Sequence, residues 1–186
     1  MITANRCANG ILFAQPRRLW NSLYMSVSIR CKMEIAAKTV DALTDRVLAR
    51  IPGHYTATTQ FGAKFLNCSF ADFLTRRLIL FGIWEPSLTA FFTRRLTPGD
   101  VFVDVGSNIG YYSLLASVLV GRAGRVLAFE ASPTIYSDLI ANLEVNDATN
   151  VIPTNVAVGS REGATHVYLG PKGNRGLTTQ LSFYRE

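Results

Sequence analysis

The stretch D-V-G-S-N-I-G, Asp104 to Gly110, sets an acid two residues before a glycine and a second glycine four residues after the first. A glycine-rich turn that opens a helix lets a ligand approach the backbone closely and offers unpaired amides to an anion. Such a turn holds a phosphate or the backbone end of a cofactor. Spacing excludes two familiar versions. The dinucleotide turn G-x-G-x-x-G needs its outer glycines five positions apart, and Asn108 stands where its middle glycine belongs. The phosphate loop G-x-x-x-x-G-K-[ST] is absent. A second acid, Glu130, follows 24 positions after Gly106 in V-L-A-F-E-A-S. A carboxylate at the end of the next strand can take both hydroxyls of a ribose. The competing reading makes Glu130 a helix-start charge beside Ser132 and Pro133, favoured by the helix dipole.

These residues need elements to position them. D-V-F-V-D-V-G is an apolar run closed by glycine, expected as a strand buried on both faces. I-G-Y-Y-S-L-L-A-S-V-L-V-G reads as a helix ending at Gly121, and R-V-L-A-F-E-A-S as a second buried strand. Ser132 and Pro133 suit the cap and first position of a second helix. N-V-I-P-T-N-V-A-V-G-S is a third strand, which Pro153 weakens or places at an edge. Strand, helix, strand, helix, strand predicts parallel pairing through right-handed crossovers. The expected fold class is therefore α/β, a partial doubly wound, Rossmann-like parallel sheet, with an N-terminal helical extension. G-A-T-H-V-Y-L-G is expected to add an outer hairpin strand.

Upstream, Met33 to Arg50 places Ile35, Val40, Leu43, Val47 and Leu48 on one face of an amphipathic helix that Pro52 and Gly53 end. Y-T-A-T-T-Q-F-G alternates loosely, as a short strand does. S-F-A-D-F-L-T-R-R-L-I-L-F-G-I-W is expected to be helical with Ser69 as its cap. Pro86 opens a further helix that stops at Pro98-Gly99. The chain divides into a basic leader over 1–32, disordered or preceding the functional start at Met25 or Met33, a mainly helical region over 33–97, and a cofactor domain over 98–186.

D-x-G-x-N-x-G resembles the first motif of class I S-adenosylmethionine-dependent methyltransferases. G-I-W-E-P-S-L-T-A-F-F, P-G-D-V-F-V-D-V-G-S-N-I-G-Y-Y-S-L-L-A-S, V-L-A-F-E-A-S-P, N-L-E-V-N-D-A-T-N-V-I-P-T-N-V-A-V-G-S and N-R-G-L-T-T then resemble, in order, the FkbM family of those enzymes. That resemblance implies S-adenosylmethionine as cofactor and O-methylation of a hydroxyl on a sugar, glycolipid or polyketide-like acceptor. Asp104 would accept from the cofactor's ammonium group, directly or through water, and the helix-start amides would meet its carboxylate. Gly106 would leave room for the ligand and Gly110 for tight packing. Glu130 would hold the ribose, with Ser107 and Ala131 in the same pocket. Asn108 would act as cofactor contact, helix cap or both. Tyr111 or Tyr112 would line the methionine end, and Asn155 would meet the adenine amino group. Glu85, in Trp84-Glu85-Pro86, is the candidate base, against a reading as a helix-start acid. The family pattern continues past Q-L-S-F-Y-R-E into further strands, so the domain is expected to be C-terminally incomplete, with an open apolar edge available for oligomer formation. Two other readings share these residues. One is an inactive remnant that folds poorly or only binds cofactor. The other is an NAD- or nucleotide-sugar-binding domain, which the glycine spacing disfavours.

Composition narrows the partners. The net charge of +6 lies almost wholly in residues 1–32, where Arg6, Arg17, Arg18, Arg30 and Lys32 meet no acid. The nearly neutral remainder argues against a nucleic-acid face. The leader suits weak contact with an anionic membrane surface. No apolar run reaches the ~18–20 residues of a membrane helix, and Trp20, Asn21 and Ser22 interrupt the run that an export signal would need. Cys7, Cys31 and Cys68 form no C-x-x-C pair, and with only His54 and His166 available no metal site is expected. The expected location is the cytoplasm.

Overall fold

The computed structural model describes residues 47–164, 166–168 and 170. A 3-10 turn, Leu48–Arg50, is the part of the expected first helix that falls among them; residues 33–46, the leader and 171–186 lie outside them. The chain then forms a hairpin of β1, Tyr55–Thr58, and β2, Lys64–Cys68, paired antiparallel. The sequence reading held only the first of these strands. Helix α1, Phe73–Phe81, follows, capped by Asp72, whose carboxylate accepts from the Thr75 amide at 3.0 Å. The expected cap, Ser69, instead accepts from the Ala71 amide one turn earlier. Helix α2, Pro86–Arg95, begins with its proline at the first position, as expected.

Beyond it lies the parallel sheet. Strand β3, Val101–Val105, leads through α3, Tyr111–Val120, to β4, Arg125–Phe129, and through α4, Pro133–Val145, to β5, Val151–Thr154. The order is β3-β4-β5 with both pairings parallel. Ser132 caps α4 and Pro133 opens it. Pro153 lies in β5, at one end of the sheet, where a missing backbone donor is tolerated. Around the expected outer strand, Tyr168 alone makes a bridge-type pairing among the described residues.

Two successive right-handed crossovers in one direction put α3 and α4 on the same face of the sheet. The pairs Phe102↔Val126 and Asp104↔Ala128, with Val151 beside Val126, lie on that covered face, and Val126 and Ala128 are fully buried. The opposite face differs from expectation. Val101, Val103 and Val105 are 64, 53 and 59% exposed, and Ile152 is 45% exposed. β3 is thus half-buried on one face and exposed on the other, and its outer edge has no strand partner among the described residues.

The hairpin is bound to this unit by two asparagines, Asn142 within α4 and Asn146 at its C-terminal cap. Asn146 accepts from the Lys64 amide and donates to the Lys64 carbonyl, both at 2.7 Å, as a neighbouring strand would. Fully buried Asn142 accepts from the Leu66 amide at 2.8 Å and donates to the Ile109 carbonyl at 2.9 Å. Side-chain amides thereby close the edge of β2 and tie it to the glycine turn.

Candidate cofactor site

The turn after β3 lies at the carboxyl end of the sheet, where open α/β folds hold ligands. Its first amides bind inward. Those of Gly106 and Ser107 donate to the Phe129 carbonyl at 2.8 and 3.0 Å, and that of Gly110 to Ser107. The Asn108 amide donates to Glu130 Oε2, and the Ile109 amide to the Asn108 side chain, both at 2.8 Å. Asn108 therefore folds the turn from a left-handed conformation, while Gly110 takes the position before α3 that Asn108 was expected to cap. Tyr111 and Tyr112 carry the first helix amides that have no backbone partner in the turn.

The two glycines have separate duties. A Cβ on Gly106 would meet nothing within 4 Å, so open space stands in front of the turn. A Cβ on Gly110 would come within 2.5 Å of Leu139 Cδ1, a fully buried side chain of α4. Between them, the Ser107 hydroxyl is buried with no hydrogen-bond partner, an arrangement that native proteins rarely leave unexplained.

Asp104 accepts from the Ser113 hydroxyl at 2.6 Å. Burial pushes its pKa up; the Ser113 hydroxyl and amide oppose that, and the charge of Glu130 adds to it. Glu130 is 5% exposed, and its second oxygen accepts from the Ser132 amide at 2.8 Å. It stays in the expected place, yet both oxygens already brace the turn against the start of α4. Asn155 donates to the Glu130 carbonyl at 2.7 Å, which leaves its Oδ1 as an acceptor. With Ala131 it lines a cavity of about 660 Å³.

Tyr111 requires a correction. Its side chain is core, ringed by Phe61 and Phe65, with its hydroxyl 3.1 Å from Thr89 Oγ1. Only its backbone faces the site. Tyr112 is the tyrosine that reaches out, donating to Glu85 Oε2 at 2.6 Å. Glu85 sits at the cap position of α2 without capping it. Sequence reasoning missed Ser113 and Asn142. The signal for both was a polar residue on the otherwise apolar buried face of a helix, which must find a buried partner.

Asp104 and Glu130 flank the turn and Glu85 is held by Tyr112 of the helix that follows it; among the described residues, their partners are hydroxyls and amides, not cations. Uncompensated carboxylates, an orphaned buried hydroxyl and an open cradle fit a ligand that is cationic and carries hydroxyls. Among the described residues, no group of three or more potential ligands could hold a metal, and no helix is long and apolar enough to cross a membrane.

Parts of this chain are similar to known proteins. The chain is 30% identical over 77 residues to protein-L-isoaspartate O-methyltransferase 1 of Arabidopsis thaliana, covering 41% of this chain and 30% of that one. It is 36% identical over 56 residues to an arsenite methyltransferase of Halobacterium salinarum, covering 30% of this chain and 14% of that protein. It therefore spans less than a third of the length of these relatives. Among solved structures, precorrin-6y C5,15-methyltransferase of Geobacter metallireducens superimposes over 40% of each chain with a TM-score of 0.36 and 28% identity. The profile of the methyltransferase FkbM domain matches residues 104–185, which begin at the acid of the glycine turn and take in Glu130 and Asn155. Over residues 104–185, this chain is similar to the methyltransferase FkbM domain.

Proposed function

We propose that the chain binds S-adenosylmethionine at the glycine turn and serves in methylation of a hydroxyl on a sugar, glycolipid or polyketide-like acceptor. The observation that carries the cofactor assignment is the open, cation-free cradle of Gly106, Ser107 and Asp104 within the matched domain. The bound cofactor would supply an electrophilic methyl group on a sulfonium centre. Asp104 would receive the ammonium group, and the first amides of α3 the carboxylate. Ser107 would gain the partner it lacks. Glu130, already holding the turn, has remaining lone pairs for the ribose hydroxyls, and Asn155 Oδ1 would accept from the adenine amino group. The hydroxyl acceptor rests on the family resemblance. Rate enhancement would come mainly from holding the two reactants in line.

Isothermal titration of the chain with S-adenosylmethionine and S-adenosylhomocysteine tests the assignment. Saturable binding that Asp104→Asn weakens roughly tenfold or more, with no binding of NAD, is the expected result. A folded chain that binds neither ligand would overturn it.

A further inference from the structure

Building on that cofactor reading, we propose that Glu85, held by Tyr112, is a second carboxylate for the ammonium group at the amino-acid end of the cofactor, beside Asp104. Glu85 adopts φ 40° and ψ 71°, a left-handed conformation, directly before Pro86. That backbone is costly for any residue with a Cβ, and it persists only where the surroundings impose it. Here two tethers impose it. The Thr89 hydroxyl donates to the Trp84 carbonyl at 2.6 Å and also meets the Tyr111 hydroxyl. The Tyr112 hydroxyl donates to Glu85 Oε2 at 2.6 Å.

Both tyrosines belong to the first turn of α3, and the next residue, Ser113, holds Asp104. One helical turn therefore sets two carboxylates that come from separate elements. Burial, and after it the neighbouring Glu85, push the Tyr112 pKa well up, so this hydroxyl remains a donor. Glu85 itself is exposed, and among the described residues its Oε1 has no hydrogen-bond partner. The orphaned Ser107 hydroxyl in the adjoining turn independently marks the place as one that expects a ligand. A ligand with both an ammonium and a sulfonium charge matches two carboxylates better than one.

Calorimetric titration of the full chain with two probes tests this. S-adenosylhomocysteine carries the amino-acid end; 5′-methylthioadenosine has the same adenine, ribose and thioether without it. Glu85→Gln is expected to weaken the first by roughly tenfold, the scale of one charge-assisted hydrogen bond, and to leave the second unchanged. Tyr112→Phe should weaken the first by a smaller factor and spare the second. Glu85→Gly relaxes the backbone, so it should raise the melting temperature while still losing affinity for S-adenosylhomocysteine. Unchanged affinity of Glu85→Gln for S-adenosylhomocysteine would overturn the proposal. So would equal weakening of both probes, which marks a structural role. If the parent chain binds neither probe, the cofactor assignment itself fails and takes this proposal with it.

Discussion

Glu130, at the end of β4, accepts the backbone amide of Asn108 at 2.8 Å across the mouth of the sheet. Its other oxygen accepts the amide of Ser132, so one buried carboxylate fixes both the glycine turn and the start of α4. Glu130→Gln replaces one acceptor oxygen by a donor that faces a backbone N–H. The expected cost is about 1.5–3 kcal/mol, the range for a hydrogen bond to a charged group. Thermal unfolding reads that loss. Faster hydrogen exchange at the Asn108 and Ser132 amides would locate it at this brace.

Gly106 and Gly110 predict opposite phenotypes. Gly110→Ala drives a Cβ to 2.5 Å from buried Leu139 at a φ of 91° and should cost about 2–4 kcal/mol. Gly106→Ala meets nothing and bears only its left-handed φ of 77°, about 1–2 kcal/mol. Calorimetric melting and ligand titration separate them. The first variant should lose mainly stability, and the second mainly affinity for S-adenosylhomocysteine.

Asp104 links stability to pH. Burial is the largest cause of its raised pKa, so the folded state holds this proton more tightly than the unfolded chain does. Its contribution to stability is then full below the ordinary carboxylate range and falls as pH rises through the raised value. Asp104→Asn should remove that fall, giving a melting temperature at pH 7 equal to or above the parent's. Ligand affinity should drop roughly tenfold or more, because an ammonium needs the ionised partner. A parallel loss of stability and affinity would contradict this assignment.

Much of this was legible in the sequence because local chemistry fixed it. The α3 and α4 boundaries follow Gly110, Gly121, Ser132 and Pro133, each placed by its own backbone or capping preference. The acid and the two glycines likewise announced the turn. Side-chain destinations were less legible because they depend on residues distant in the chain. Adjacent tyrosines of equal chemistry part company when Tyr111 turns to Phe61 and Phe65 and Tyr112 to Glu85. β2 went unread because its pattern lacks strict alternation, and its outer edge is satisfied by asparagines some 80 residues away in sequence. β3 read as buried on both faces from its valines alone. Composition states a demand for burial without saying what meets it.

That unmet demand yields the last prediction. Val101, Val103 and Val105 line the open face of β3, with Ile152 on the same face across β4, and among the described residues the outer edge of β3 has no strand partner. Parallel sheets are normally covered on both faces, and an exposed apolar face next to an open edge is an association surface. The chain is expected to self-associate at micromolar concentration, with dissociation as it is diluted. Val103→Lys puts a charge at the centre of this face, which the monomer tolerates because the position is 53% exposed. An unpaired charge at an interface costs about 1–3 kcal/mol, so association should weaken roughly tenfold. Sedimentation velocity over a concentration series measures the shift, and circular dichroism confirms an unchanged fold. Equal association of parent and variant would show that this face is not the contact and that another surface carries it.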